Sequence, residues 1–170
     1  MSHYGAARIG GLAALIVFLA DQGSKYWILH VLGLRELGQV VVLPFLNLTM
    51  VWNQGITFGL MNGLGPWGHY ALAALAILVI LGLLIWLRRA ETVWASAAIG
   101  VIAGGAVGNV LDRLRYGAVV DFLHFHLGQW SWYVFNVSDA AIVCGVAALL
   151  LENQFGRRPK QSGRPLKYRV

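Results

Sequence analysis

The chain has 170 residues, of which 58% are apolar and only 12% are Asp, Glu, Lys or Arg, a composition drier than a water-exposed surface allows. It reads as a membrane protein with room for about four helical spans of roughly 20 residues, too short for a transporter of a dozen spans or a sizeable water-soluble catalytic domain. The net charge of +6 comes mostly from a tail holding Arg157, Arg158, Lys160, Arg164, Lys167 and Arg169, which points to cytoplasmic retention and anionic lipid rather than to nucleic acid. A single cysteine, Cys144, excludes an internal disulfide, a thiolate zinc cluster and a CxxC redox pair.

The first apolar run, residues 9–20, gives about 18 Å of helix against a hydrocarbon core of about 30 Å. It reaches spanning length, at about residue 29, only by taking in Asp21 and Lys25. Arg8 and this run resemble a signal peptide, but Phe18 stands where a small residue is wanted before Ala20, so a retained span is expected. Asp21 and Lys25, four apart, are either an ion pair facing the bundle or part of a functional site. Ser24 cannot pair with Lys25, because adjacent helical residues diverge by roughly 100°.

In the following loop, 33–65, Leu46, Leu48, Met50 and Trp52 alternate with Asn47, Thr49 and Val51, the pattern of a strand with one dry face. Residues 40–43 offer a partner strand. The pair is either a hairpin resting on the membrane or an edge to which an extended peptide adds. Residues 67–87 form a span with Trp67 and Trp86 at its ends and Arg88-Arg89 behind. Residues 92–111 form another, whose Gly100, Gly104 and Gly108 make a small-residue stripe for close helix packing.

The second loop, 112–132, contains His124 and His126. Strand alternation turns both away from Asp121, and no HExxH occurs, so no metal site is expected. The last apolar run, 140–151, is again short and spans, as 133–155, only by taking in Asp139. If Asn136 or Ser138 starts that helix, Asp139 lies in its first turn, where the helix dipole favours a carboxylate. Cys144 is expected in packing or lipid, away from the site, with no histidine in any span to activate it.

With four spans, one side holds Arg8, Arg88, Arg89 and the six tail cations, nine basic residues against four (Lys25, Arg35, Arg113 and Arg115) on the other. The positive-inside rule then puts both termini in the cytoplasm. Asp21, Lys25, Asn53, Asn109, Asp112, Arg113, Asp121 and Asp139 all collect at the outer interface. No GxSxG, GxGD or P-loop is present. Asp121 and Asp139 remain, and two carboxyls sharing a site hold one proton between them: the ionised one activates water and the protonated one assists at the carbonyl. The alternatives are a small proton-coupled membrane transport protein or a noncatalytic membrane assembly subunit. Against the first, no inverted repeat is visible and the polar residues do not continue to the other interface; the second leaves the two aspartates unexplained.

Five segments, taken in order, carry a resemblance. They are Asp21-Gln22-Gly23-Ser24-Lys25; Asn53-Gln54-Gly55-Ile56-Thr57-Phe58; Gly104-Gly105-Ala106-Val107-Gly108-Asn109 with Asp112-Arg113; Gly117-Ala118-Val119-Val120-Asp121-Phe122; and Phe135-Asn136-Val137-Ser138-Asp139. Together, over about residues 20–142, they resemble the motifs of bacterial lipoprotein signal peptidase, signal peptidase II, with Thr57 and Ser138 where the family usually has alanine. The resemblance implies an aspartic intramembrane endopeptidase without metal or cofactor, cutting prolipoproteins before a diacylglyceryl-modified cysteine. It implies Asp121 and Asp139 as the catalytic pair, and Asp21, Lys25, Asn53, Gly55, Asn109, Arg113 and Asn136 as residues that support the pair or hold substrate.

The expected molecule is a membrane α-helical protein of four transmembrane helices (about 9–29, 67–87, 92–111 and 133–155), with a small β-sheet and loops on the outer, periplasmic face. Residues 1–155 form one membrane domain and 156–170 a disordered basic cytoplasmic tail. It is a monomer of the bacterial inner membrane, whose partners are diacylglyceryl-modified prolipoproteins and membrane lipids, with no nucleic acid. Reporter fusions at Arg89 and after Arg157 should therefore read cytoplasmic, and fusions near Gly63 and Gly128 external; a cytoplasmic signal at Gly128 contradicts a shared outer site.

Overall fold

The computed structural model describes residues 3–55 and 67–155; Thr57 and the expected tail 156–170 lie outside them. Helix α1 (His3–Tyr26) widens into a π-helical turn (Trp27–Val31), closed by the Leu32 N–H to Trp27 O bond of 2.9 Å. Gly33, at φ 66°, takes the left-handed conformation a glycine tolerates and starts the short helix α2 (Leu34–Leu37). Strands β1 (Gln39–Leu43) and β2 (Leu46–Asn53) follow, then α3 (Gly68–Arg88), α4 (Val93–Tyr116), β3 (Val119–Leu127), β4 (Trp130–Ser131) and α5 (Val137–Phe155).

Among the described residues, four segments are long and apolar enough to cross a membrane: Gly5–Val31, Gly68–Arg88, Val93–Tyr116 and Val137–Phe155. The third runs past its expected end at 111. A carboxylate at 112 looked like the edge of the membrane, but Asp112 is neutralised by Lys25 at 2.7 Å, so the helix has no electrostatic reason to stop. It stops instead where Gly117 turns left-handed (φ 72°) and its N–H bonds Arg113 O at 3.0 Å. The fourth starts at Val137 rather than 133, because Asn136 caps it.

Helix α4 is the most buried of the four and packs against α1, α3 and α5. The glycine stripe makes that contact, as the sequence suggested. A Cβ at Gly100 or Gly104 would collide with the backbone of Gly10 or Ala14 on α1, and one at Gly105 would come within 2.7 Å of Ser138 O on α5. Inside lipid no hydrophobic force drives helices together, so backbone proximity and van der Waals packing must do so. The outward faces stay apolar and exposed: Leu12, Leu15, Ile16 and Leu19 on α1, Leu75, Leu78 and Ile85 on α3, Val143 and Leu150 on α5.

The strands form one antiparallel sheet in the order β1-β2-β3-β4. Its dry side, with Val40, Leu48, Met50 and Trp52, packs on Ile28, Leu34, Val120 and Phe122. The β1–β2 hairpin follows from the alternation of apolar residues. The β2–β3 pairing does not, since alternation marks a strand without naming its neighbour; it ties the two loops together with Val51 opposite Asp121 and Asn53 opposite Val119.

Gly104→Ala should lower stability by about 1–3 kcal/mol through backbone collision. Gly11→Ala, where nothing lies within 4 Å, should be neutral or raise it by up to about 1 kcal/mol. Thermal unfolding of both variants in one detergent measures the contrast.

Candidate active site

At the sheet end of the bundle a buried ionic cluster comes first. Lys25 Nζ lies 2.8 Å from Asp21 Oδ2 and 2.7 Å from Asp112 Oδ2, and 3.4 Å from Asn109 Oδ1. Asp21, Lys25 and Asp112 are 0%, 3% and 1% exposed, so each charge depends on its partners: an unpaired buried charge costs several kcal/mol. Gln22 Nε2 donates to Asp21 Oδ2 and to Asp112 Oδ1, both at 3.1 Å. The two carboxylates also reach outward. Asp21 Oδ1 accepts the Ser138 N–H at 3.0 Å and Asp112 Oδ2 the Val120 N–H at 3.1 Å, each one residue before Asp139 or Asp121. Of the two roles open to Asp21 and Lys25, the ion pair facing the bundle is present, and it grips both segments that carry the other aspartates.

Asp121 sits on β3. With Asn53 opposite Val119, Asn53 is the diagonal neighbour of Asp121 on the same face of the sheet, and its Nδ2 donates to Asp121 Oδ2 at 2.9 Å. Asn136 Nδ2 donates to Asp121 Oδ1 at 2.6 Å. Asp139 Oδ1 accepts from Asn109 Nδ2 at 2.8 Å. Asn136 and Asp139 cap α5 reciprocally: Asn136 Oδ1 accepts the Asp139 N–H at 3.0 Å, and Asp139 Oδ2 accepts the Asn136 N–H at 3.3 Å. One fully buried asparagine therefore starts a helix and links two carboxylates. Burial first, and the charge of Asp139 second, push the Asp121 carboxyl up to about 7, against the pull of the Asn53 and Asn136 hydrogen bonds and of Lys25.

Arg113 donates to Gly55 O at 3.1 Å and to Asn109 O at 3.3 Å. Asp112, its sequence neighbour, is held by Lys25 instead. Gly55 in turn donates its N–H to Asn53 Oδ1 at 3.1 Å, so Arg113 and Asn53 pin one tight turn. The residues expected to form or support the pair, Asp21, Lys25, Asn53, Gly55, Asn109, Arg113, Asp121, Asn136 and Asp139, lie together at one end of the bundle. His124 does not join them: its ring nitrogens meet Thr49 Oγ1 at 3.1 Å and Ser131 Oγ at 2.7 Å.

Two members of the cluster have roles that the sequence does not assign. Gln22 carries no signal beyond adjacency to Asp21. Asp112, expected at the outer interface, lies one turn beyond Asn109 on the same helix face and is the second acid held by Lys25. Cys144 is a correction. It was expected away from the site, but it lines the same cleft of about 850 Å³ as Asp121 and Asp139. With helix α5 starting at Asn136, Ala140, Val143 and Cys144 fall on the face that carries Asp139 and form the apolar continuation of the site.

A description of the signal peptidase (SPase) II family matches residues 13–155. The chain belongs to the signal peptidase II family. It is 46% identical to a lipoprotein signal peptidase of Rhodopseudomonas palustris, over 88% of this chain and 93% of that one. A lipoprotein signal peptidase of Methylorubrum extorquens is also 46% identical, over 87% and 86% of the two chains. A solved bacterial membrane enzyme superposes with a TM-score of 0.75 at 26% identity, covering 89% of this chain and 93% of that one. As a signal peptidase II the chain is a membrane-embedded protease.

Lys25→Met leaves Asp21 and Asp112 buried without their counter-ion, and a loss of about 3–5 kcal/mol is expected. It should appear as a fallen yield of monodisperse protein and a lowered Tm in detergent, with Lys25→Arg retaining more of both.

Proposed function

We propose that this signal peptidase II removes the signal peptides of prolipoproteins as an intramembrane aspartic endopeptidase, with Asp121 and Asp139 as its catalytic pair, cutting before a diacylglyceryl-modified cysteine. Asn136 is the observation that carries the reading. It bonds Asp121 at 2.6 Å and caps the helix that begins with Asp139, so two carboxylates from separate segments face one cleft. A structural role alone does not call for a carboxyl raised to about 7 in the wall of an open cleft.

The pair holds one proton. The ionised aspartate takes a proton from water, which attacks the scissile carbonyl, and the protonated one hydrogen-bonds and protonates the carbonyl oxygen. Collapse of the resulting diol breaks the C–N bond: the pair gives its proton to the leaving amine nitrogen and takes one from a diol hydroxyl as the new carboxyl forms, so one proton is again held for the next cycle. Asn53, Asn109 and Asn136 orient the carboxylates. The Asp21–Lys25–Asp112 cluster holds the segments beneath them, and Arg113 with Gly55 fixes the turn beside them. Reactive groups preset in this way gain rate by proximity and orientation.

Both termini are cytoplasmic in this reading and the cleft lies near the outer face, following the distribution of Lys and Arg. Two acyl chains on the substrate cysteine bind a bilayer far more tightly than one. They concentrate the peptide and set the depth of its scissile bond against a cleft whose wall continues into apolar Val143.

The test is cleavage of a diacylated precursor peptide by purified protein. Asp121→Asn and Asp139→Asn should each leave less than about a hundredth of the activity, with losses that do not add in the double variant. The same peptide with an unmodified cysteine should be cut poorly at equal membrane-bound concentration. Because the raised Asp121 carboxyl loses its proton as pH rises through about 7, kcat/KM should fall on the alkaline side. Asn53→Ala, which deletes a bond favouring the charged form, should move that limb to higher pH.

A further inference from the structure

The cleft is lined by two runs of consecutive residues, 51–54 and 132–135. A strand that turns a face to a cavity contributes every second residue; one that turns its edge contributes neighbours. Residues 132–135 run beside β3. Phe135 N–H donates to Leu123 O at 3.0 Å, Phe135 O accepts from Leu123 N–H at 2.8 Å and from Phe122 N–H at 3.1 Å, and Trp132 N–H donates to Phe125 O at 2.9 Å. Phe135 therefore spends both main-chain groups on β3. The N–H and C=O of the preceding residue, Val134, make no backbone hydrogen bond among the described residues. Val134 is half-buried, in a wall shared with Ala140 and Val143, where a main-chain donor and acceptor left unpaired are unfavourable.

The Val134 edge adjoins the carboxylates on both sides. Leu123, the partner of Phe135, is two residues beyond Asp121, and Asn136, which follows Phe135, caps the helix bearing Asp139. An acyl chain has no group to offer such an edge. An extended peptide offers an N–H and a C=O at matching spacing, the mode of strand addition. The β1 strand, the outer edge of the first hairpin and the place the sequence suggested for such addition, does not line the cleft.

We propose that the Val134 main-chain N–H and C=O bind the substrate backbone, drawing the residues around the scissile bond into an extended strand added to the 132–135 edge beside Asp121 and Asp139. The inference rests on the cleft being the peptidase site. It holds whichever residues perform the chemistry, so retained cleavage by Asp121→Asn would end the aspartic reading alone.

The experiment is an N-methyl scan of a diacylated precursor peptide, omitting the scissile amide, with the unsubstituted protein. N-methylation at one backbone position should lower kcat/KM at least about tenfold, chiefly through KM, while its immediate neighbours change little, since successive residues of an added strand face opposite ways. Val134→Ala keeps the main chain and should stay within about twofold of the parent. Val134→Pro removes the N–H and should lose about tenfold on the unmethylated peptide, yet little more on the sensitive methylated one, because both changes break the same residue pair. A flat scan overturns the proposal, as does a folded Val134→Pro with parental KM. Should Val134→Pro fail to fold, the scan decides by itself.

Discussion

An ammonium group held between two carboxylates and out of reach of water is stable only while all three partners stay in place, and here they come from distant parts of the chain. Lys25 and Asp21 belong to α1 and Asp112 to α4. Removing Lys25 leaves two carboxylates uncompensated in an apolar bundle, which is far worse than never having had the pair, and removing either acid cuts one of its two links. The two acids also accept main-chain N–H groups from Ser138 and Val120, so the starts of α5 and β3 are fastened to the same cluster. Asp121 and Asp139, each one residue further on, inherit positions set by it.

That cluster needs backbones closer together than side chains ordinarily permit. Gly100 and Gly104 bring α4 onto α1, and Gly108 leaves the space into which the Asp21 carboxylate and the Ser138 hydroxyl project. The glycine stripe is thus packing along most of its length and part of the site at its end. Above it, a second constraint acts through hydrogen bonds. Asn136 has one side chain with which to satisfy Asp121, Asn109 and the N–H of Asp139. A displacement of α5, α4 or β3 breaks one of these bonds, so the two carboxylates move together or not at all. Their shared cleft is apolar beyond them, and burial together with the charge of Asp139 raises the Asp121 carboxyl to about 7.

Particular residues show where reading the chain succeeds and where it fails. Uncharged runs located the spans, because the bilayer requires a length of apolar helix whatever its neighbours. The same rule ended the third span too early, because it treats every carboxylate as charged and solvated, and Asp112 is paired. Alternation found β1 and β2 but not the pairing with β3 that sets Asn53 beside Asp121. Cys144 was misplaced for a related reason: its exposure depends on which face of α5 borders the cleft, and a helix whose outward side meets lipid shows little polar contrast to mark that face.

By itself the sequence determined the membrane class, the number of spans, the hairpin, the family and the identity of the residues that meet, since those follow from composition, local periodicity and motifs carried within short segments. Only the tertiary structure decided which acid pairs with Lys25, which edge of the sheet borders the cleft and which groups raise the Asp121 carboxyl. These are properties of distance and burial among segments up to about a hundred residues apart, and side-chain charge states and free main-chain groups are settled by neighbours that no local pattern names.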